Sequence, residues 1–258
     1  MSVVTEQRDG VLTLTIDRPA ARNALDAEVL DGLTAGLDAA TGDRDIRVVV
    51  LTGAGDRAFS SGADLASGMG TETSALEQHE QRGILRRFLA ATEGLDKPLV
   101  GRVNGHALAG GLGVALACDL LVAAEEATFG TPEVRVGLWP YVISTLLVEH
   151  LGPKRALELM MTGRRLSATE AREWGLVNRV VPRDDLDDAV AELAAELSAG
   201  APLALALGRR AYHESREMGR REAMAYLHGM LDLTVQTEDV VEGLAAFFEK
   251  RDPVWRGR

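Results

Sequence analysis

The stretch NGHALAGGLGVALACD, residues 104–119, carries the strongest structural signal in this chain. An Asn-Gly turn precedes a cluster of glycines at positions 110, 111 and 113, and the alanine-rich segment that follows is typical of a helix. We predict a strand that ends at Val103, a turn at Asn104-Gly105 and a helix that begins near Ala109. The first N–H groups of a helix have no acceptor within the helix, so they favour an anion at this point.

Two further stretches contribute to the same predicted site: FSSGADL, residues 59–65, and FGTPEVRVGLWP, residues 129–140. FSSGADL follows the apolar strand IRVVVLTG, just as the first stretch follows LVGRV. If these two strands lie side by side, the backbone N–H groups that follow them face the same point. Two such donors form an oxyanion hole, in which one donor is worth about 3 kcal/mol to a transition state. The third stretch supplies Glu133 after a proline turn, and a carboxylate there can move a proton. The three stretches together indicate enolate chemistry beside a thioester carbonyl.

Composition limits the other possibilities. The 258 residues are 46% hydrophobic and 26% charged, which predicts a globular chain with one substantial core and an appendage. A formal net charge of −11 disfavours nucleic acid and anionic membranes as partners. Cys118 is the only cysteine, so an internal disulfide and a multi-cysteine metal site are excluded. The sequence shows no signal-peptide pattern and no apolar run of about 18 residues, so we expect a cytoplasmic protein without a membrane span.

Strand and helix signals alternate along the first two thirds of the chain. We predict strands over 11–16, 46–53 and 99–103, a helix from an N-cap at Asp26 to about Ala40, and a second helix over 74–94. From about Asp184 the strand signals stop, and four amphipathic helices are predicted at roughly 186–198, 202–218, 221–235 and 239–250. The prediction is an α/β core over residues 1–185 and a helical domain over 186–258.

Each of these features alone has a simpler explanation. A glycine-rich turn is usually a site of close packing, and a lone glutamate after a proline is usually a solvated carboxylate. The glycine cluster does not match the dinucleotide or P-loop spacing, which leaves a nucleotide-binding oxidoreductase as a weaker alternative. His106 has no second histidine at metal-ligand spacing, and Ser60 and Ser61 lack a G-x-S-x-G elbow. The joint occurrence of the three stretches, in this order along the chain, favours the enolate site.

The motifs resemble those of the crotonase, or enoyl-CoA hydratase/isomerase, family. The resemblance includes RPAARNALD (18–26), SSGADL, NGHALAGGLGVALACD, FGTPEVRVGL, MMTGRRLSATEAREWGLVNRVVP (160–182) and EGLAAFFEKRDP (242–253), and so covers nearly the whole chain. It implies an α/β spiral of β-β-α units with a C-terminal helical trimerisation domain. It also implies a homo-trimer, or a hexamer that is a dimer of trimers.

The resemblance also implies roles for individual residues. The oxyanion hole would be formed by the backbone N–H groups of Ala63 and Gly110, with Glu133 as the catalytic carboxylate. Contacts to the CoA ester would come from several further positions: Arg22, Asp64, Leu65, Ala66, Trp139, Phe247 and Lys250. Lys250 would serve the active site of a neighbouring subunit. Because the acyl-CoA ester is the substrate, no cofactor and no metal are implied.

One position departs from the hydratase pattern. Hydratases of this family carry two glutamates, and the first of them is replaced here by Gly113. Hydration requires water activation and proton delivery, which two carboxylates share, whereas moving a proton from C2 to C4 of a 3-enoyl ester requires one base. This favours isomerisation of 3-enoyl-CoA to 2-enoyl-CoA. Hydration by Glu133 with a second group such as Tyr141, and a non-catalytic acyl-CoA-binding subunit, remain as alternatives; glycine at position 113 could also make room for a bulky acyl group.

Overall fold

The computed structural model describes residues 2–64, 74, 80 and 83–258. The strands are β1 Val3–Arg8, β2 Val11–Ile16, β3 Val48–Gly53, β4 Ala58–Ser60, β5 Leu99–Val103, β6 His106–Leu108, β7 Leu120–Ala124, β8 Thr128–Gly130, β9 Arg165–Ser167 and β10 Arg179–Val181. The helices are α1 Ala27–Ala40, α2 Ile84–Gly94, α3 Gly110–Leu116, α4 Ser144–Thr162, α5 Ala168–Glu173, α6 Leu186–Ser198, α7 Pro202–Ser215, α8 Arg220–Thr234 and α9 Glu238–Glu249. Short 3-10 helices span Pro19–Ala21, Pro132–Val136 and Arg183–Asp185.

The strands form two sheets, and successive strands along the central part of the chain alternate between them. The larger sheet has the order β1-β2-β3-β5-β7-β10, and the smaller one has the order β4-β6-β8-β9. Each of β3, β5 and β7 is followed along the chain by one strand of the smaller sheet, and the neighbours β3·β5·β7 and β4·β6·β8 run parallel. The chain therefore advances one strand in both sheets with every turn. This confirms the α/β spiral of β-β-α units.

The local signals in the sequence explain why these elements form. Every residue of β3 (VVVLTG) is buried, as expected for a central parallel strand covered on both faces. The carboxylate of Asp26 accepts a hydrogen bond from the Val29 N–H at 2.9 Å and thereby caps α1, as predicted. The described part of the helix predicted over 74–94 contains α2; residues 75–79 and 81–82 lie outside the described residues.

The helical segment after residue 185 is only partly attached to the sheets. Leu186, Val190 and Leu193 of α6 pack on Val48 and Val122 of the larger sheet, so this helix covers the core. Among the described residues no single helix is long and apolar enough to cross a membrane; one pair, 183–198 with 202–215, meets that test jointly but is bent by 100°. The domain boundary between residues 185 and 186 stays a prediction.

Arg209 joins α7 to the core. Its guanidinium donates to both carboxylate oxygens of Asp119 at 3.0 and 2.8 Å, and to the carbonyl oxygens of Leu95 at 2.5 Å and Thr92 at 2.7 Å. The Arg209 side chain is 8% exposed. The Asp119 carboxylate also accepts from the backbone N–H of Leu99, at the start of β5, at 2.8 Å, and His213 Nε2 lies 3.7 Å from its Oδ1 atom. One side chain therefore connects the helical segment with two strands of the spiral.

We expect Arg209→Met to destabilise the fold by about 3 kcal/mol, because it removes the charged partner of the Asp119 carboxylate and the donor to the carbonyl groups of Thr92 and Leu95. Urea unfolding measures this loss. Arg210→Met, at the exposed neighbouring position of the same helix, is the matched control and should change the free energy of unfolding by less than about 0.5 kcal/mol. Equal losses in the two variants would show that the Arg209 contacts contribute nothing specific.

Candidate active site

The loop after β4 presses against the loop after β6. Gly62 has φ +92°, and a Cβ added there would lie 2.7 Å from the Cβ of Ala109 and 2.9 Å from the carbonyl oxygen of Leu108. Both the backbone conformation and the available space therefore require glycine at position 62. This contact holds the two loops at the same end of the two adjacent parallel strands β4 and β6.

Two backbone N–H groups at this contact have no acceptor among the residues that the structure describes. Ala109 has φ +52°, an uncommon conformation for alanine, and it turns the chain from β6 into α3. Gly110 is the first residue of α3, and a Cβ added to it would lie 3.8 Å from the backbone nitrogen of Ala63. Neither the Ala63 N–H nor the Gly110 N–H donates to an acceptor within the described part of the chain. The structure thus brings the two predicted donors together.

The segment that follows β2 fixes the Ala63 loop from its other side. Ser61 N–H donates to the carbonyl oxygen of Arg22 at 3.1 Å, and Leu25 N–H donates to that of Gly62 at 2.8 Å. Asp64 N–H then donates to the carbonyl oxygen of Leu25 at 2.8 Å. These three bonds form a short parallel bridge. The predicted CoA contact Arg22 therefore lies directly beside the loop that carries Ala63.

Asp64 is held by a residue that the sequence analysis missed. Arg18 pairs with the carboxylate of Asp64 at 2.9 Å and with that of Asp26 at 2.8 Å, and it also donates to the carbonyl oxygen of Ala24. Arg18 is the first residue of the motif RPAARNALD, and this position was the one feature of the sequence that could have identified it. Asp64 does not line the cavity described below, whereas Leu65 and Ala66 lie outside the described residues.

Glu133 is the carboxylate of the site. It follows Pro132 at the start of the 3-10 helix Pro132–Val136 and is half-buried. Its Oε2 atom is buried and has no hydrogen-bond partner among the described residues. Burial raises the pKa of Glu133 above its ordinary value, and its own backbone N–H offsets only part of this effect. A carboxylate with a raised pKa and an unused oxygen is suited to accept and return a proton.

The Ala63 loop, Gly110 and Glu133 line the same cavity. It has a volume of about 360 Å³ and is lined by five of the predicted site residues: Ala63, Gly110, Glu133, Trp139 and Tyr141. Tyr141 stands at the rim with 78% exposure, and Trp139 is half-buried. Apolar wall residues that the sequence analysis did not identify are Leu85, Leu138 and Ile143. No sequence motif distinguishes them from ordinary core residues.

Gly113 does not open space for the substrate. It is buried within α3, and an added Cβ would lie 2.2 Å from the Cγ2 atom of Ile143. Ile143, which is 2% exposed, fills the volume in front of the glycine. The expectation that glycine makes room there for a bulky acyl group is therefore wrong, because the neighbouring isoleucine takes that room.

A cluster of positive charges lies around His106. Burial is the first cause that lowers the pKa of His106, and the charges of Arg165, Arg22 and Arg57 lower it further. The Nδ1 atom of His106 is 2.8 Å from the Thr128 hydroxyl. This cluster stands out in a chain with a net charge of −11, and through Arg22 it is continuous with the Ala63 loop.

Phe247 and Lys250 lie away from this cavity within one chain. They stand at the C-terminal end of α9, where Phe247 is 76% exposed and Lys250 adopts a left-handed conformation. Neither of them lines the cavity among the described residues. The single chain thus brings together the predicted oxyanion donors, Glu133 and the two aromatic residues in one cavity, but not these two C-terminal residues.

Comparisons with known proteins identify the protein family to which the chain belongs. A family model described as enoyl-CoA hydratase/isomerase matches residues 6–258. Carnitinyl-CoA dehydratase of Salmonella enteritidis is 40% identical over 255 residues, which are 96% of this chain and 95% of that protein. The crystal structure of enoyl-CoA hydratase from Bacillus anthracis has a TM-score of 0.95 at 32% identity over the full length of both chains. An enoyl-CoA hydratase from Mycobacterium smegmatis has a TM-score of 0.94 at 32% identity, covering 99% of each chain.

The chain belongs to the enoyl-CoA hydratase/isomerase family, and it is an enzyme of that family. The resemblance drawn from the sequence motifs is thereby confirmed. A non-catalytic subunit, the third alternative of the sequence analysis, is set aside.

We expect Glu133→Gln to stabilise the protein at neutral pH. The raised pKa means that the folded state disfavours the charged carboxylate, so Glu133 reduces stability as the pH rises above its ordinary pKa near 4.5. Thermal unfolding should show a higher midpoint for the variant at pH 7 and the same midpoint as the parent near pH 4. Glu173→Gln, an exposed change of the same kind, should show no such pH dependence. A Glu133 variant that is less stable than the parent at pH 7 would contradict the burial of an unpaired charge.

Proposed function

We propose that this enzyme moves a proton on an acyl-CoA thioester, converting a 3-enoyl-CoA into a 2-enoyl-CoA through an enolate. The observation that carries the proposal concerns the described residues that line the apolar cavity. Glu133 is the only carboxylate among them, and its buried Oε2 atom has no hydrogen-bond partner there. The N–H groups of Ala63 and Gly110 line the same cavity and donate to no acceptor within that part of the chain. An oxyanion needs two donors and a proton shift needs one base, so these groups suffice.

The proposed reaction has two proton transfers. The Glu133 carboxylate removes a proton from C2, and the electron pair of that C–H bond passes through the carbonyl to give a dienolate whose oxygen accepts from the two N–H groups. The protonated carboxyl then delivers the proton to C4, the double bond comes to lie between C2 and C3, and Glu133 is regenerated. The reaction is redox-neutral, and the proposal assigns no role to a metal or to a separate cofactor.

The physical basis of the rate is preorganisation. Each oxyanion donor contributes about 3 kcal/mol when it is aimed at the developing charge, and a positioned base contributes roughly 10²–10⁴-fold. Both effects are largest in an apolar cavity because water does not screen them. The raised pKa of Glu133 brings the base closer to neutral pH, where accepting and returning a proton are better balanced.

A second candidate is addition or removal of water. It is supported by the relatives that are named carnitinyl-CoA dehydratase, at 40% identity. In that case Glu133 would act together with another group, and Tyr141 at the cavity rim is the first candidate. The missing carboxylate at position 113 is the reason to place this reaction second.

We further propose how the CoA moiety and the assembly fit this site. The positive cluster of Arg22, Arg57 and Arg165 offers a favourable environment for the phosphates of CoA beside the Ala63 loop. Phe247 and Lys250 would reach this region from another subunit. The helices α8 and α9 expose apolar side chains that a single chain leaves in water: Met224, Leu227, Leu231, Leu233, Val241, Leu244, Phe247 and Phe248. This supports a homo-trimer, or a hexamer formed as a dimer of trimers.

A panel of 2-enoyl-, 3-enoyl- and 3-hydroxyacyl-CoA esters tests the reaction. We expect turnover of the 3-enoyl ester to be faster than hydration of the 2-enoyl ester. Glu133→Gln should lower kcat by at least about a hundredfold while the affinity for the ester changes little, because the base acts mainly in the transition state.

Glu173→Gln should leave both quantities unchanged. Efficient hydration by the parent enzyme would favour the second candidate, and full activity of the Glu133 variant on every ester would remove Glu133 from the mechanism.

Assembly is tested by analytical ultracentrifugation at micromolar concentration. We expect a trimer or hexamer, and Leu231→Glu with Leu227→Glu should shift it towards monomers because buried charges would oppose the contact. Glu222→Gln on the same helix is the control and should leave the assembly intact. A parent protein that sediments only as a monomer would contradict the proposal and leave Lys250 without a neighbouring site.

A further inference from the structure

Gly113 and Ile143 share one small volume. A Cβ added to Gly113 would lie 2.2 Å from the Cγ2 atom of Ile143 and 3.2 Å from its Cβ atom. Carbon atoms in van der Waals contact are about 3.5–4.0 Å apart, so no side chain fits at position 113 while Ile143 keeps its place. The two positions therefore cannot both carry a large side chain.

Ile143 is poorly able to move away. It is 2% exposed, belongs to the main hydrophobic core and precedes α4, where its carbonyl oxygen accepts from the Leu147 N–H at 3.0 Å. A β-branched side chain also has few alternative rotamers. The methyl group that blocks position 113 is therefore held firmly by its surroundings.

The same side chain is a wall of the catalytic cavity. Ile143 lines it together with Glu133, Ala63 and Gly110. The buried Oε2 atom of Glu133 has no partner among the described residues, so a water molecule admitted to this cavity would find an acceptor there. An aliphatic wall offers such a water no hydrogen bond, and its side chain takes up space that a water could otherwise occupy at this point of the cavity.

We propose that Ile143 determines the reaction specificity of this enzyme by occupying the volume in front of Gly113. Its side chain excludes a second proton-transferring side chain from α3 and limits the room for a water molecule beside the substrate. The site is thereby restricted to the proton shift that Glu133 performs alone. This inference rests on the proposed function.

The competing reaction shows what Ile143 would prevent. In hydration the oxygen of a water molecule bonds to C3 of a 2-enoyl ester, one proton of that water passes to a base, and a proton is delivered to C2. All atoms come from water and the ester, and the reaction requires a space for the water next to Glu133 in addition to the groups that transfer its protons. Truncation of Ile143 creates that space.

The first experiment compares Ile143→Ala with Val142→Ala. Both change a β-branched aliphatic residue of the cavity wall, but among the described residues an added Cβ at Gly113 meets Ile143 within 4 Å and does not meet Val142. The measured quantity is the rate of hydration of a 2-enoyl-CoA divided by the rate of isomerisation of a 3-enoyl-CoA. We expect Ile143→Ala to raise this ratio by about tenfold or more, whereas Val142→Ala should change it by less than about twofold.

A second readout is the pH profile of isomerisation. Burial raises the pKa of Glu133, so a water admitted by Ile143→Ala should shift the acid limb of kcat towards lower pH. A change in packing alone would not shift this limb. If Ile143→Ala fails to fold, Ile143→Leu keeps the side-chain volume but lacks the Cγ2 methyl, and it should raise the ratio by a smaller factor.

A thermal unfolding series tests the contact itself. Gly113→Ala should lower the unfolding midpoint in the parent and in Ile143→Val, which retains Cγ2, but less so in Ile143→Leu. An equal effect of Gly113→Ala in all three backgrounds would show that the two positions are not coupled and would overturn the inference.

The outcomes separate the two proposals. An active, folded Ile143→Ala or Ile143→Leu enzyme with an unchanged ratio of rates would overturn the role of Ile143 and leave the proposed function standing. A parent enzyme that turns over neither ester would overturn the proposed function, and this inference with it.

Discussion

The site depends on the contact between the loops that follow β4 and β6. Gly62, with φ +92°, has no room for a side chain against Ala109, and Ala109 itself adopts a positive φ to start α3. This contact leaves the N–H groups of Ala63 and Gly110, at one end of the smaller sheet, without acceptors in the part of the chain that the structure describes. Two unpaired donors would be unfavourable in a closed core, so their position beside an open cavity is consistent with binding a developing negative charge.

The remaining chemistry follows from what surrounds these donors. Glu133 is placed by a proline at the start of a 3-10 helix, and its surroundings raise its pKa because they give it little solvent and few partners. Ile143 closes the cavity where a second functional side chain would otherwise enter from Gly113. The arrangement of one proposed base and two proposed donors in an apolar space therefore depends on the packing around them as much as on those residues themselves.

Much of the fold and part of the site could be predicted from the sequence. The buried strand VVVLTG, the cap at Asp26 and the glycines around position 110 are local signals, and the structure places them as predicted. The role of Ile143 could not be predicted, since an isoleucine three residues after Pro140 gives no indication of which glycine it meets. Ion pairs such as Arg18 with Asp64 join residues 46 positions apart and depend on the tertiary fold.

The central claim is that the thioester carbonyl lies between the Ala63 and Gly110 N–H groups with Glu133 facing C2. A crystal structure with a saturated acyl-CoA analogue, which keeps the thioester carbonyl but has no double bond to move, tests this most directly. We expect the carbonyl oxygen to lie within hydrogen-bond distance of both N–H groups, about 2.7–3.1 Å, and a Glu133 oxygen to contact C2. A bound analogue whose carbonyl group contacts neither donor, or whose C2 atom lies away from Glu133, would contradict the account.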